Sequence, residues 1–173
     1  QGIQTVTGSL TRSPLTVASG GTLGGSGTLA SLTAQSGGIV SPGSAGAVGT
    51  LNVSGTATLA AGSQYIVDIG ASGTSDRLVA GTAVLGGGTI TLRPVGRLPR
   101  FGDSYTVLTA SGGVTGTFGN ATSFSAILYP QITYGANLVA ASVAARPYAG
   151  VIALTPVSAA NRSVTMSCER MPA

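Results

Sequence analysis

Three times in the first 60 residues an apolar–polar–apolar triplet runs into a small-residue corner and then a second brief apolar stretch. Leu15-Thr16-Val17 is followed by Ala-Ser-Gly-Gly and Thr22-Leu23; Leu32-Thr33-Ala34 by Gln-Ser-Gly-Gly and Ile39-Val40; Leu51-Asn52-Val53 by Ser-Gly-Thr-Ala and Thr58-Leu59. The units begin 17 and 19 residues apart, at 15, 32 and 51. Strict alternation is the signature of a half-buried strand. A three-residue strand cannot bury its apolar face alone. Stacking such strands about 4.8 Å apart gives each one hydrogen-bonded neighbours and joins the inward side chains into a ladder. The spacing therefore predicts an all-β fold, a right-handed single-stranded parallel β-helix, or β-solenoid. Glycine at the corners supplies the positive φ of sharp bends.

The side chains grow from residue 62 to residue 118. Three alternating segments lie there: Tyr65-Val67-Ile69, Ile90-Leu92 and Tyr105-Val107. The predicted folding core of this block is Tyr65, Val67, Ile69, Leu78, Leu92, Tyr105, Val107, Leu108 and Phe118. A bulkier C-terminal cap on the solenoid is expected. Gly86-Gly87-Gly88 reads as a tight connection, and residues 93–103, with Pro94 and Pro99, as a loop or edge excursion. Residues 124–134 and 137–143 alternate as the last strands, with a kink at Pro130. Gly, Thr and Ser are too dense for a helix before residue 138. The expected organisation is β-helix coils over 1–60, a cap over 61–145, and a linker or disordered tail over 146–173. Both methionines, Cys168 and Glu169 fall in that tail.

Charged residues make up only 7% of the chain, against about 25% in ordinary domains. Polarity is carried by Ser, Thr, Asn and Gln, which suits the outward faces of strands. No apolar run approaches the 18 or so residues of a membrane-spanning helix. The N-terminus lacks the basic-then-apolar pattern of a signal peptide, so a mature or internal piece of an exported protein is expected. Near-absence of cysteine agrees with passage through an oxidising compartment. Arg93, Arg97 and Arg100 form the densest basic group, in RPVGRLPR, and are read as a solvated loop. Nucleic-acid binding calls for a denser basic stripe with aromatic platforms, and none is expected here.

With no His, the usual Ser-His-Asp, Cys-His and His-metal sites are excluded. With no Lys, a P-loop is excluded too. GGTLGGSG lacks the Asp of the calcium-binding nonapeptide repeat. Cys168 has no partner cysteine and is read as incidental. Asp68, Asp76 and Asp103 are the only acids before the tail. A glycosidase-type pair needs two carboxyls within roughly 5–10 Å of each other. Asp68 alternates with Tyr65, Val67 and Ile69, so it is expected to point outward. Asp76 and Asp103 sit in Ser-Asp-Arg and Gly-Asp-Ser settings and are expected to cap backbone N–H groups in exposed turns. No catalytic residue, cofactor or metal site is expected, and the chain is read as a non-enzyme.

Several pieces occur in a familiar order. Ile39-Val40-Ser41-Pro42-Gly43 leads into GTLNVSGTATL at 49–59, then GSQYIVDI at 62–69, GTSDRLVAGTAVLGG at 73–87 and YTVLTASGGVTGTF at 105–118. Residues 125–134 and 137–139 continue it. Over roughly residues 15–150 this order resembles the C-terminal passenger region of type V autotransporters, including the segment known as the autochaperone or junction. The resemblance implies a stalk and folding seed that supports translocation across an outer membrane and display at a Gram-negative cell surface. Its partners would be its own upstream passenger coils and a downstream outer-membrane β-barrel that this chain does not contain. An adhesin-type module contacting a host-cell ligand is the alternative. The tail, ending SVTMSCERMPA, departs from the family pattern.

Overall fold

Short β-branched and aliphatic segments separated by glycine corners leave the backbone little choice but extended structure. The computed structural model describes residues 2–122 and 128–145, and over these it is all-β apart from one 3-10 turn, Ala71–Gly73. The expected tail, with Cys168 and Glu169, lies outside the described residues, as does the start of the predicted 124–134 strand. The first strands are β1 (Gly2–Thr5), β2 (Ser9–Val17), β3 (Gly21–Gly25), β4 (Thr28–Ala34), β5 (Ile39–Pro42), β6 (Thr50–Leu59) and β7 (Gln64–Ile69). They continue with β8 (Arg77–Gly86), β9 (Thr89–Pro94), β10 (Ser104–Ala110), β11 (Val114–Thr117), β12 (Asn120–Thr122), β13 (Leu128–Tyr134) and β14 (Leu138–Ala145).

The chain alternates between two sheets. One runs β1-β3-β5-β7-β9-β12, and all its pairings are parallel. The other runs β2-β4-β6-β8-β10-β14-β13, with β11 also on β8. It is parallel up to β10 and antiparallel beyond. Register aligns the inward positions. Leu23, Val40, Tyr65 and Ile90 form one buried ladder, and Leu51, Leu78 and Leu108 another. A single buried cluster runs from Val6 to Val143 between the sheets, with no break at residue 60. All nine residues expected in the folding core are buried within it.

The register corrects the repeat. Leu15-Thr16-Val17 does pair with Leu32-Thr33-Ala34, but the latter pairs with Ala57-Thr58-Leu59, not with Leu51-Asn52-Val53. Leu51-Asn52-Val53 begins the same long strand, and its Val53 lies beside Leu29. Both triplets alternate, so alternation could not choose between them; the corner does. Turns at 18–21, 35–38 and 60–63 each close with an i to i+3 bond and place Gly20, Gly37 or Gly62 at φ +76, +78 or +76. The turns also bond to one another: the Gly20 N–H donates to Gly37 O at 3.0 Å, and the Gly37 N–H to Gly62 O at 2.9 Å.

Equivalent positions at 15, 32, 57, 83 and 114 are thus 17, 25, 26 and 31 residues apart. The extra length is spent at the opposite corner, in excursions at 43–49, 70–76 and 95–103. At the C-terminal end, β14 adds antiparallel to β10 and turns back through β13. Pro130, expected to kink the chain, sits inside β13 opposite Val143. β13 is an edge strand, where proline's missing N–H is tolerated.

The stacked turn makes a testable demand. A β-carbon at Gly37 would lie 2.5 Å from Ser19 Oγ, whereas one at Gly46, at nearly the same φ of +80, meets nothing within 4 Å. Gly46→Ala should cost about 1 kcal/mol for the left-handed backbone alone. Gly37→Ala should cost about 2–3 kcal/mol, since strain and overlap add. Urea unfolding of the two variants measures the difference, and equal midpoints would contradict it.

Candidate functional site: a buried carboxylate clamp

Asp68 is the penultimate residue of β7, and alternation does put it on the side away from the core. That side is nevertheless covered, and Asp68 and Asp76 are both fully buried, not exposed as expected. The cover is the 43–49 loop together with the Arg93 side chain. Ile69 and Ser75 form an antiparallel bridge that folds residues 70–76 back along the end of β7. This brings the two aspartates together: the Asp68 N–H donates to Asp76 Oδ2 at 3.0 Å.

Every carboxylate oxygen has a donor from the chain itself. Arg93, paired in register with Asp68 across β9 and β7, donates from Nε to Asp68 Oδ1 at 2.5 Å and from Nη2 to Oδ2 at 2.9 Å. The Gly46 N–H adds a bond to Asp68 Oδ2 at 3.1 Å. Asp76 Oδ1 accepts the Gly49 N–H at 2.7 Å. The two aspartates therefore hold a loop 22 to 27 residues away in sequence. Gly43 closes the arrangement; a β-carbon there would lie 2.9 Å from Asp76 Oδ1. The Pro42-Gly43 corner, Gly49 of the GTL segment and Asp76 of the Ser-Asp pair thus meet at one point.

The electrostatics follow from the burial. Burial raises the Asp76 pKa from 3.8 to about 6, against the lowering effect of the N–H donors of Asp68 and Gly49. The neighbouring Asp68 charge pushes the same way as burial, and Arg93 opposes it. The bond to Asp68 raises the Arg93 pKa. Tyr65, fully buried in the same strand as Asp68, is raised chiefly by burial and then by the Asp76 charge.

Asp103 stands apart, at the end of the 95–103 loop. It does cap a turn, as expected: its Oδ2 accepts the Arg100 N–H at 2.8 Å and Arg97 Nη2 at 3.1 Å. The Arg100 N–H holds its carboxyl below the usual carboxylate range, with help from Arg97. The arginine trio is therefore not one solvated patch. Arg93 belongs to the clamp and Arg97 to Asp103; of these three arginines, only Arg100 has no ion pair among the described residues.

Tyr65 joins the sheets at the capped end. Its hydroxyl donates to Val107 O at 2.6 Å, and its ring stacks on Phe118 at 5.9 Å between centroids and 6° between planes. The Phe118 N–H donates to the Tyr134 hydroxyl at 2.9 Å. The sequence marked Tyr65 and Phe118 as core but did not show that they touch. Among the described residues, no group of three or more potential ligands could hold a metal ion.

No protein-family model matches the sequence. The chain is similar to the extracellular serine protease of Serratia marcescens, with 34% identity over 146 residues. The match takes in 79% of this chain and 14% of that protein, so the chain corresponds to a small part of its relative.

The clamp predicts an unusual pH dependence. Between pH 3.8 and about 6 the folded state keeps an Asp76 proton that the unfolded state releases. Its contribution is therefore full below 3.8 and lost as pH rises through about 6. Asp103, shifted the other way, loses its contribution only as pH falls below the usual carboxylate range. The urea midpoint should thus fall from about pH 4 to about pH 7, and Asp76→Asn should flatten that slope whatever its effect on absolute stability. An unchanged slope in the variant would remove Asp76 as the cause.

Proposed function

We propose that this segment is a right-handed parallel β-helix forming the C-terminal part of an autotransporter passenger, where it acts as stalk and folding seed rather than as an enzyme. The observation that carries the reading is the closed, aromatic-packed C-terminal end of the stack. At the C-terminal end the β13–β14 hairpin covers the last parallel strand, and the Tyr65–Phe118 stack with the Tyr134 bond ties the sheets together. At the other end β1 is exposed throughout and β2 over most of its length, with Ile3 82% and Leu10 41% accessible. A solenoid grows by nearest-neighbour stacking, so a closed, well-packed end can form first and an open edge can template the next coil. The order of sequence motifs and the similarity to a segment of an extracellular protein support the same reading.

A non-catalytic role is favoured by the state of the aspartates. Asp68 and Asp76 form the kind of pair a hydrolase would need, but their oxygens are buried and taken up by Arg93 and backbone N–H groups. The relative's protease activity belongs to a protein of which the match spans 14%, and this chain has no histidine.

In a parent protein bearing this segment, Val107→Asp or Tyr105→Ala should cut surface display of the passenger several-fold while leaving membrane insertion of the barrel intact. Each change removes apolar contacts from a position that is at most 1% exposed, a loss of about 2–5 kcal/mol. Val84→Asp, at a position 38% exposed, is the matched control and should display normally. Wild-type display of Val107→Asp would overturn the seed reading.

A further inference from the structure

The 95–103 loop is built to hold two apolar side chains in water. Leu98 is 77% exposed and Phe101 73%, among the most exposed large apolar residues described. The loop's internal bonds fix the backbone that carries them. The Asp103 N–H donates to Arg100 O at 3.0 Å, closing a tight turn with Phe101 and Gly102 at its centre, and Gly102 takes φ +87. The Asp103 carboxylate grips the Arg100 N–H and Arg97 from the other side, and Pro99 is buried as an anchor. The Gly102 N–H then donates to Val143 O at 2.9 Å, fixing the loop against β14, the last described strand. A loop whose backbone is already fixed loses less conformational freedom when its side chains are covered, which favours binding.

Charge selects the occupant. Asp68 and Asp76 are buried, and Asp103 is paired with Arg97. Among the described residues every carboxylate is thereby engaged internally, while Arg12, Arg77 and Arg100 are exposed and outside any ion pair. Among the described residues the surface is cationic without compensating acids, and Arg100 lies between Leu98 and Phe101 in the sequence. A rigid turn offering leucine, arginine and phenylalanine matches a surface that is anionic at the headgroup and apolar just beneath. We propose that the 95–103 loop docks the capped end of the domain onto an anionic lipid surface, Leu98 and Phe101 entering the headgroup–acyl boundary and Arg100 pairing with phosphate. The proposal goes beyond the folding role and does not depend on it.

Co-sedimentation of the purified full chain with phosphatidylcholine vesicles, with and without phosphatidylglycerol, tests it. The wild type should partition at least tenfold more strongly into the anionic vesicles, an advantage that added salt reduces. A Leu98→Ser/Phe101→Ser double variant should lose most of the binding at unchanged thermal stability. Arg100→Ala should lose the headgroup preference but keep residual binding. Equal binding to both vesicle types, or full binding by the double variant, would overturn the proposal. The latter result would move the contact to another part of the chain.

Discussion

The structure depends on parallel register. No strand here could stand alone: β5 has four residues and β12 three. Their stability comes from having the same kind of residue above and below at the same inward position, as along Leu23, Val40, Tyr65 and Ile90. Each fully buried aliphatic or aromatic side chain contributes about 1.5–3 kcal/mol, but only while its neighbours on the ladder exclude water. Slipping the register by one residue would turn every inward side chain outward. The stacked turns at 18–21, 35–38 and 60–63 prevent this, because their glycines bond to one another and fit only in line.

The corner opposite those turns is free to vary, and there the chain departs from simple repetition. Its excursions lengthen from 43–49 to 95–103. Buried carboxylates are a costly way to hold a loop, since each must be compensated by donors. Here the donors are Arg93 and backbone N–H groups that would otherwise be unpaired in irregular structure. The clamp therefore serves both parties: the loop acquires a fixed position and the aspartates acquire partners. Beyond it, the antiparallel hairpin ends the parallel stacking and leaves the proline-bearing β13 as the sheet edge.

The all-β class, the glycine corners and the buried block from Tyr65 to Phe118 were readable in the sequence because they follow from alternation and local backbone preference. The first register, Leu15 beside Leu32, was readable too, since the corner after each triplet is nearly identical. The next register was not: two alternating triplets lie in β6, and the deciding feature, Gly62 in the turn at 60–63, looks like any other glycine in a chain with 28 of them. Alternation placed the Asp68 side chain away from the core correctly, but it says nothing about a loop from 22 residues upstream lying over it. The pairing of Arg93 with Asp68 would have followed from knowing that β7 and β9 are neighbours in register, a tertiary fact. The antiparallel turn of β14 was hidden for the same reason, because alternation has no direction.

A folding seed at the block from Tyr65 to Phe118 requires that block to be the most stable part of the stack. Amide hydrogen exchange on the whole chain tests it most directly, because it reads local opening residue by residue. The account predicts the slowest exchange at Tyr65, Val67, Val107 and Leu108, with protection declining along the same sheets toward β1 and β2. Uniform protection along the stack, or a maximum around Leu23 and Leu29, would contradict it.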